Sequence, residues 1–160
     1  NVVIVTSAFN VTEAILGVHE DALAGKVVVD CTNPVGPGMT HGLKSERAGS
    51  EVLQAAVPQA RVVKAFSIYG YENLADNVYP GSPATPAMFF CGNDAGAKET
   101  VRGLIVDLGW DPLDVGDLQQ ALHLEHMTLL WIRMVRVSGS SPRIVWAALR
   151  DRANAGSKSA

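Results

Sequence analysis

Short unbroken apolar runs alternate along this chain with longer stretches in which apolar residues recur every three or four positions. These are the signatures of β-strands covered on both faces and of amphipathic helices. Residues 2–5 (Val-Val-Ile-Val) read as the first strand. Asn10, followed three residues later by Glu13, is a capping-box pattern that predicts a helix to about Leu23, with Ala14, Ile15, Val18, Ala22 and Leu23 on its buried face. Gly25 ends it, and residues 26–30 (Lys-Val-Val-Val-Asp) form the next strand. Strand, helix and strand within about 30 residues make one right-handed crossover between parallel strands.

The stretch 31–42 is rich in glycine and proline and reads as a loop leaving the carboxyl end of the second strand. Ser50 as cap, residues 51–57 as body and Pro58 as stop predict a short helix before a third strand at 61–66. Residues 67–86, with three Pro, two Gly and three Tyr, wrap the surface with at most a short helix around 72–76. A fourth strand at 87–91 precedes a helix capped by Asp94, along which Ala97, Val101, Leu104, Ile105 and Leu108 recur until Gly109. A fifth strand follows at 110–115. Asp117 with Gln120 predicts the start of a long helix to about Val137, and after a break at 138–142 a last helix runs to about Arg150. The expectation is therefore one α/β unit over residues 1–150, a Rossmann-like doubly wound and mainly parallel sheet with C-terminal helices, followed by a flexible tail at 151–160.

Composition narrows the function. Of the 160 residues 48% are hydrophobic and 18% charged, which excludes disorder as the dominant state. Thirteen Lys and Arg against 16 Asp and Glu give a net charge of −3 without a basic cluster, so neither nucleic acid nor an anionic membrane is an expected partner. No apolar stretch reaches the ~18 residues of a membrane span. Cys31 and Cys91 both end apolar runs and read as reduced core thiols, which points to a cytoplasmic setting. The chain opens inside a core strand with neither initiator Met nor signal peptide, and it reads as part of a longer protein whose sheet is incomplete at the N-terminus.

Ligands of such sheets bind at the carboxyl ends of the strands. The loops there hold Thr6, Ser7, Ala8 and Phe9, then residues 31–40, then 65–70; they are rich in small and hydroxyl residues and poor in acids. That suits a neutral ring and sugar better than a metal. Asn33 offers donors and acceptors to an amide or ribose and Pro34 stiffens its turn, although Asn-Pro is also an ordinary turn starter. No G-x-G-x-x-G is present, and the first strand runs into Thr-Ser-Ala-Phe-Asn, which has no glycine for a pyrophosphate. The Gly-Asn-Asp-Ala-Gly-Ala-Lys run at 92–98 lacks the Gly-Lys-Ser/Thr ending of a phosphate loop and reads as a capped helix. His123, Glu125 and His126 lie close enough on a helix to invite a metal, but their order matches no zinc signature and no fourth ligand is evident. No metal and no general acid or base is assigned, and Cys31 lacks a Cys-x-x-Cys partner for redox work.

Several segments together resemble the C-terminal two-thirds of the NADPH-dependent F-420 reductase (F-420-dependent NADP oxidoreductase) family. They are Val-Val-Ile-Val at 2–5, Leu-Ala-Gly-Lys-Val-Val-Val-Asp-Cys-Thr-Asn-Pro-Val at 23–35, Val-Val-Lys-Ala-Phe at 62–66, Phe-Cys-Gly-Asn-Asp at 90–94, Leu-Gly-Trp-Asp-Pro at 108–112 and Leu-Glu-His at 124–126. The resemblance implies NADP as cofactor and direct hydride transfer to coenzyme F-420 or a flavin. Thr6, Ser7, Ala8, Phe9, Asn33, Pro34, Lys64, Ala65, Phe66 and Ser67 would then line the nicotinamide pocket. Where the family usually carries Asn after its Ala-Phe pair, this chain has Ser67. A homodimer through the C-terminal helices is also expected, from the family's habit and from the apolar character of residues 127–135. Two other classes stay open: a non-catalytic dinucleotide-binding or dimerisation module, and a phosphoacceptor receiver domain suggested by Asp30 and Lys64 at neighbouring strand ends.

Overall fold

Short apolar runs such as those at 2–5 and 27–29 form strands of the central sheet. The computed structural model describes residues 1–151, so nearly all of the expected tail lies outside the described residues. In chain order the first half holds β1 (Val2–Val5), α1 (Phe9–Val18), α2 (Glu20–Leu23), β2 (Val27–Asp30), β3 (Val35–Gly36), β4 (Thr40–His41) and α3 (Gly49–Ala56). The second half holds β5 (Arg61–Lys64), α4 (Tyr71–Ala75), β6 (Ala87–Gly92), α5 (Ala95–Asp107), β7 (Asp111–Asp114) and α6 (Ala121–Arg136). Five strands make one sheet in the order β1-β2-β5-β6-β7, parallel except where β6 runs against β5. Strands β3 and β4 form a small antiparallel hairpin inside the expected loop at 31–42.

Alternate residues of the strands serve opposite faces. Val28 lies opposite Val62, and both join Val5, Leu16, Leu23, Leu53 and Val57 in a core under α1 and α3. Val27, Val29 and Val63 point the other way into a larger core with Met88, Phe90, Ala97, Val101, Ile105, Leu124 and Trp131, roofed by α5 and α6. The doubly wound architecture read from the sequence is thus present. Asp94 caps α5 as expected, its Oδ1 taking the Ala97 N–H at 2.6 Å.

Three expectations are corrected. Asn10 does not cap α1: the helix begins at Phe9, with the Thr12 hydroxyl bonded back to the Ala8 carbonyl at 2.9 Å and to Ser7 Oγ at 2.8 Å. It breaks at His19 before a separate turn, and its buried residues are Thr12 and Leu16, while Ile15 is 46% and Val18 81% exposed. Strand β1 stands at the sheet edge with Ile4 57% exposed, and no described element covers that flank. Of the residues expected on the buried face of this helix, Ala14, Ile15, Val18 and Ala22 are exposed and only Leu23 is buried. The cap of α3 also differs. Ala48 occupies the cap position, its N–H satisfied by Glu51 Oε2 at 2.9 Å, and Ser50 lies inside the helix with its hydroxyl spent elsewhere.

The last helix is absent. Residues 143–149 run without regular structure across the end of the sheet, because tertiary partners claim their backbone. The Trp146 carbonyl accepts the Ala87 N–H at 2.8 Å, the Trp146 N–H reaches the Tyr69 hydroxyl at 3.1 Å, and Trp131 Nε1 donates to the Ile144 carbonyl at 2.9 Å. Arg143 fastens this strap to the 72–79 loop through the Glu72, Asp76 and Val78 carbonyls. Ile144, Val145 and Trp146 thereby cover much of the apolar surface of α6 from within the chain, leaving Leu130 and Val137 more than half exposed.

Tyr69 is the hub of this closure. Its ring stacks on Trp110 with centroids 5.3 Å apart, and its hydroxyl donates to the Ala87 carbonyl at 2.8 Å while accepting from Trp146. Tyr69→Phe keeps the stack but leaves the buried Ala87 carbonyl and the Trp146 N–H short of a partner. Urea denaturation should show a loss of about 1–3 kcal/mol; an unchanged midpoint would show that the strap does not depend on this hydroxyl.

Candidate functional site

At the carboxyl ends of β2 and β5 the last strand residues, Asp30 and Lys64, are register partners on the face covered by α3, and both are fully buried. An ammonium in such surroundings persists only with counter-charges and filled donors. Lys64 Nζ lies 3.3 Å from Asp30 Oδ2 and 3.5 Å from Glu125 Oε1, and it donates to the Thr32 carbonyl. Asp30 also accepts the Thr32 N–H at 2.8 Å, the Thr32 hydroxyl at 2.7 Å and the Ser50 hydroxyl at 2.5 Å.

Glu125, 1% exposed, reaches in from α6. Both its oxygens accept the Gly49 N–H, at 2.9 and 3.1 Å, which places a carboxylate at the N-terminus of α3 where the helix dipole favours it. Its Oε2 is 2.7 Å from His41 Nε2, and His41 Nδ1 accepts the Leu43 and Ser45 N–H groups. Nε2 therefore carries the hydrogen given to Glu125. Gly49 is required for close approach: a Cβ there would lie 2.7 Å from the Phe9 ring and 3.1 Å from Glu125 Oε1. Asp30 is saturated by four donors and out of solvent, so it cannot serve as a phosphoacceptor, and that reading is dropped.

Above this cluster the three loops converge. Thr6 and Ala8 are exposed and Ser7 and Phe9 half-buried at the end of β1. Asn33 is half-buried, while Thr32 and Pro34 are buried beneath it. From β5, Ala65 and Ser67 are buried and Phe66 half-buried, with Phe66 at φ 55°, a left-handed conformation that is strained for a bulky side chain. The kink is held by the Ser67 carbonyl, which accepts Asn33 Nδ2 at 2.9 Å and the Thr128 hydroxyl at 3.0 Å, and by the Ala65 N–H bonded to the Asp30 carbonyl. Lys64 is the predicted residue whose functional atom turns inward; its place is under the loops, supporting them.

Sequence reasoning missed Glu125, His41 and Thr128 as parts of this site. Glu125 enters the sequence reading only within His-Leu-Glu-His, as a metal candidate and as part of a family-like segment, and α6 separates the three side chains. Glu125 faces the core, His123 is exposed, and His126 is exposed with its Nε2 2.9 Å from Ser45 Oγ and its ring edge-on to His41 at 5.4 Å. No group of three or more metal-binding side chains gathers among the described residues. The one available signal was a carboxylate beside Leu124 on a helix that is otherwise largely apolar. A groove of about 570 Å³ opens at the other end of β5 near Gln54, Arg61, Asn93 and Asp117. There Gln54 and Asn93 already bond to the backbone of residues 57, 60, 62 and 118, so the groove carries no comparable set of free groups.

Both thiols are inert by position. Burial pushes Cys31 up to about 12, with the charge of Asp30 adding to the effect and Lys64 opposing it; burial likewise pushes Cys91 up to about 12, again against Lys64. In the folded chain at pH 8 only about one Cys31 in ten thousand is then a thiolate. A colorimetric disulfide reagent should leave both cysteines unmodified until denaturant is added, and rapid labelling of the native protein would refute this. Because the folded values lie above the unfolded value near 9, the unfolded chain loses these protons first. The stability these two thiols contribute is therefore full below about pH 9 and should fall as pH rises from 9 towards 12.

The chain matches no protein-family profile. It is 32% identical over 109 residues to the metalloreductase STEAP3 of Rattus norvegicus, a match that takes in 68% of this chain and 21% of the rat protein. The chain thus spans about a fifth of the length of that curated relative. The crystal structure of a proposed F420-dependent NADP-reductase from Arthrobacter sp. FB24 superimposes with a TM-score of 0.83 at 28% identity, covering 93% of this chain and 70% of that one. A hypothetical protein, SMa0349 from Sinorhizobium meliloti, superimposes with a TM-score of 0.67 at 29% identity over 75% of this chain and 58% of its own. In fold, over nearly its whole length, the chain resembles the F420-dependent NADP reductases, as the segments quoted from its sequence led us to expect.

Proposed function

We propose that this protein is an NADP-dependent oxidoreductase that passes hydride between the nicotinamide and a flat acceptor, a deazaflavin such as coenzyme F-420 or a flavin. The observation that carries the reading is the electrical neutrality of the loop edge. Asp30, Lys64, Glu125 and His41 all lie beneath it, buried and engaged with one another, so what faces outward at residues 6–9, 31–34 and 65–67 is amide, hydroxyl and aromatic. Such a surface can seat a ring and hold it, and offers no acid or base for carbonyl chemistry. The names of the relatives, an F420-dependent NADP-reductase and a metalloreductase, support the same reaction class.

The residues present fit a nicotinamide. The Ser67 hydroxyl is buried without a hydrogen-bond partner among the described residues, and Asn33 keeps unused amide capacity beside it. Thr6, Ser7, Ala8 and Phe9 would flank the ring from β1, Asn33 and Pro34 from β2, and Ala65, Phe66 and Ser67 from β5. The bound cofactor supplies the transferable hydride; the chain supplies alignment and a dry, uncharged wall, which is where proximity contributes to rate.

A panel of acceptors read by loss of NADPH absorbance tests this. Turnover is expected with a deazaflavin, and more slowly with a flavin or chelated ferric iron; turnover of simple aldehydes or of hydroxy acids instead would sink it. Tight NADPH binding with no turnover of any acceptor would favour a non-catalytic dinucleotide-binding module.

The same protein is proposed to form a homodimer through α6 and its C-terminal cap, on the exposed Leu130 and Val137. Trp131 is buried within its own chain and is not part of that surface. Light scattering at micromolar concentration should give twice the chain mass, with Leu130→Glu shifting it towards monomer; a wild-type monomer would end this proposal.

A further inference from the structure

Helix α6 enters the loop edge at a second point, one turn beyond Glu125. The Thr128 side chain is 6% exposed, and its Oγ1 lies 3.0 Å from Asn33 Oδ1, 3.0 Å from the Ser67 carbonyl and 3.1 Å from the Leu124 carbonyl. A hydroxyl has one hydrogen, and all three neighbours are acceptors. The Ser67 carbonyl already receives Asn33 Nδ2 at 2.9 Å, and the Leu124 contact is the ordinary back-bond of a helical threonine. The remaining acceptor, Asn33 Oδ1, has no other donor among the described residues. Thr128 is therefore the group that distinguishes the two ends of the Asn33 amide: nitrogen towards Ser67, oxygen towards α6.

The amide held in this way has two N–H groups and two oxygen lone pairs, of which one each is used within the chain. One donor and one acceptor remain on a half-buried side chain at the mouth of the site. Ser67, 4% exposed and with its hydroxyl unpartnered among the described residues, adds a third unused polar group beside the left-handed Phe66. Unsatisfied groups of this kind call for a partner. A primary carboxamide, itself one acceptor and two donors on a planar frame, complements them; an acetyl or ester group, lacking the donors, does not.

We propose that Thr128 is a positioning residue, fixing the Asn33 amide so that its free N–H and lone pair read a primary carboxamide on the bound ring. This rests on the nicotinamide reading given above and specifies how that ring is recognised. It explains why a threonine occupies a buried position of α6 facing three acceptors, where valine would pack as well.

The test compares wild type, Thr128→Val and Thr128→Ser, with thermal melting as a check on folding. In ligand-free protein labelled with nitrogen-15, the Asn33 side-chain amide, identified by its loss in Asn33→Ser, should give two well-separated proton resonances in wild type and Thr128→Ser. In Thr128→Val they should move towards free-amide positions. Affinity is measured for NADPH and for its analogue in which an acetyl group replaces the carboxamide. Wild type should prefer NADPH, and Thr128→Val should weaken NADPH binding about five- to tenfold with little effect on the analogue, Thr128→Ser restoring it. Equal affinity of wild type for both ligands would overturn the carboxamide assignment, and an unaltered preference in Thr128→Val would overturn the role of Thr128. A wild type that binds neither ligand would overturn both the carboxamide assignment and the NADP reading. An Asn33 amide that Thr128→Val leaves in place would overturn the positioning role on its own, whatever becomes of the cofactor.

Discussion

A positive charge inside a parallel sheet sets the terms for the rest of this molecule. Lys64 ends β5 with its ammonium sealed from water, and removing one partner of such a buried pair costs about 3–5 kcal/mol. The two carboxylates that offset it come from elements far apart in sequence, Asp30 from β2 and Glu125 from α6. Each brings further obligations: Asp30 engages Thr32 and Ser50, and Glu125 engages Gly49 and His41. One ammonium thereby fixes where β2, the β3-β4 hairpin, α3 and α6 meet. Two carboxylates against one ammonium leave an excess of negative charge, and the N-terminal N–H of α3, aimed at Glu125, offsets part of it.

The same arrangement sorts charge by depth. At this edge Asp30, Lys64 and Glu125 lie below the loops, and the layer above them is amide, hydroxyl, proline and phenyl. A hydrophobic base would leave the loops free to slide, whereas a saturated polar one holds their backbone directions through the Thr32 and Ser67 carbonyls. The left-handed Phe66 is tolerable on these terms, since its neighbours on both sides are bonded into β2 and α6.

The strands and their mainly parallel sheet were legible because Val-Val-Val-Asp and Arg-Val-Val-Lys alternate faces with nothing to contradict the pattern, and Asp94 signalled α5 through chemistry local to one turn; the order of the strands and the reversal of β6 were not. The site was legible as a set of loops, since strand ends mark them. Its foundation was not: the partners of Glu125 lie 61 and 84 positions away, at Lys64 and His41, and no period or spacing links them. The strap at 143–149 was misread for a related reason. Its apolar residues keep helical spacing, but the Tyr69 hydroxyl and the first N–H of β6 offer its backbone better partners than a helix would. In α1 the spacing marks an apolar stripe, yet Ile15 and Val18, which it assigned to the core, stay exposed, because a period does not say whether any element lies against it.

That uncovered flank has a consequence for handling the chain. Along β1 a row of backbone N–H and C=O groups has no strand partner among the described residues on the outer side, with exposed Val2 and Ile4 on one face and α1, carrying exposed Val11, Ile15 and Val18, over the other. Native proteins blunt such edges with charge, proline or a bulge, and β1 has none of these between Val2 and Val5. Presented alone in solution, it is a template on which another extended segment can add as a sixth strand, so colloidal stability will fall with concentration, and a soluble tag or a short complementary β-peptide will be the more useful remedy than changes to the core.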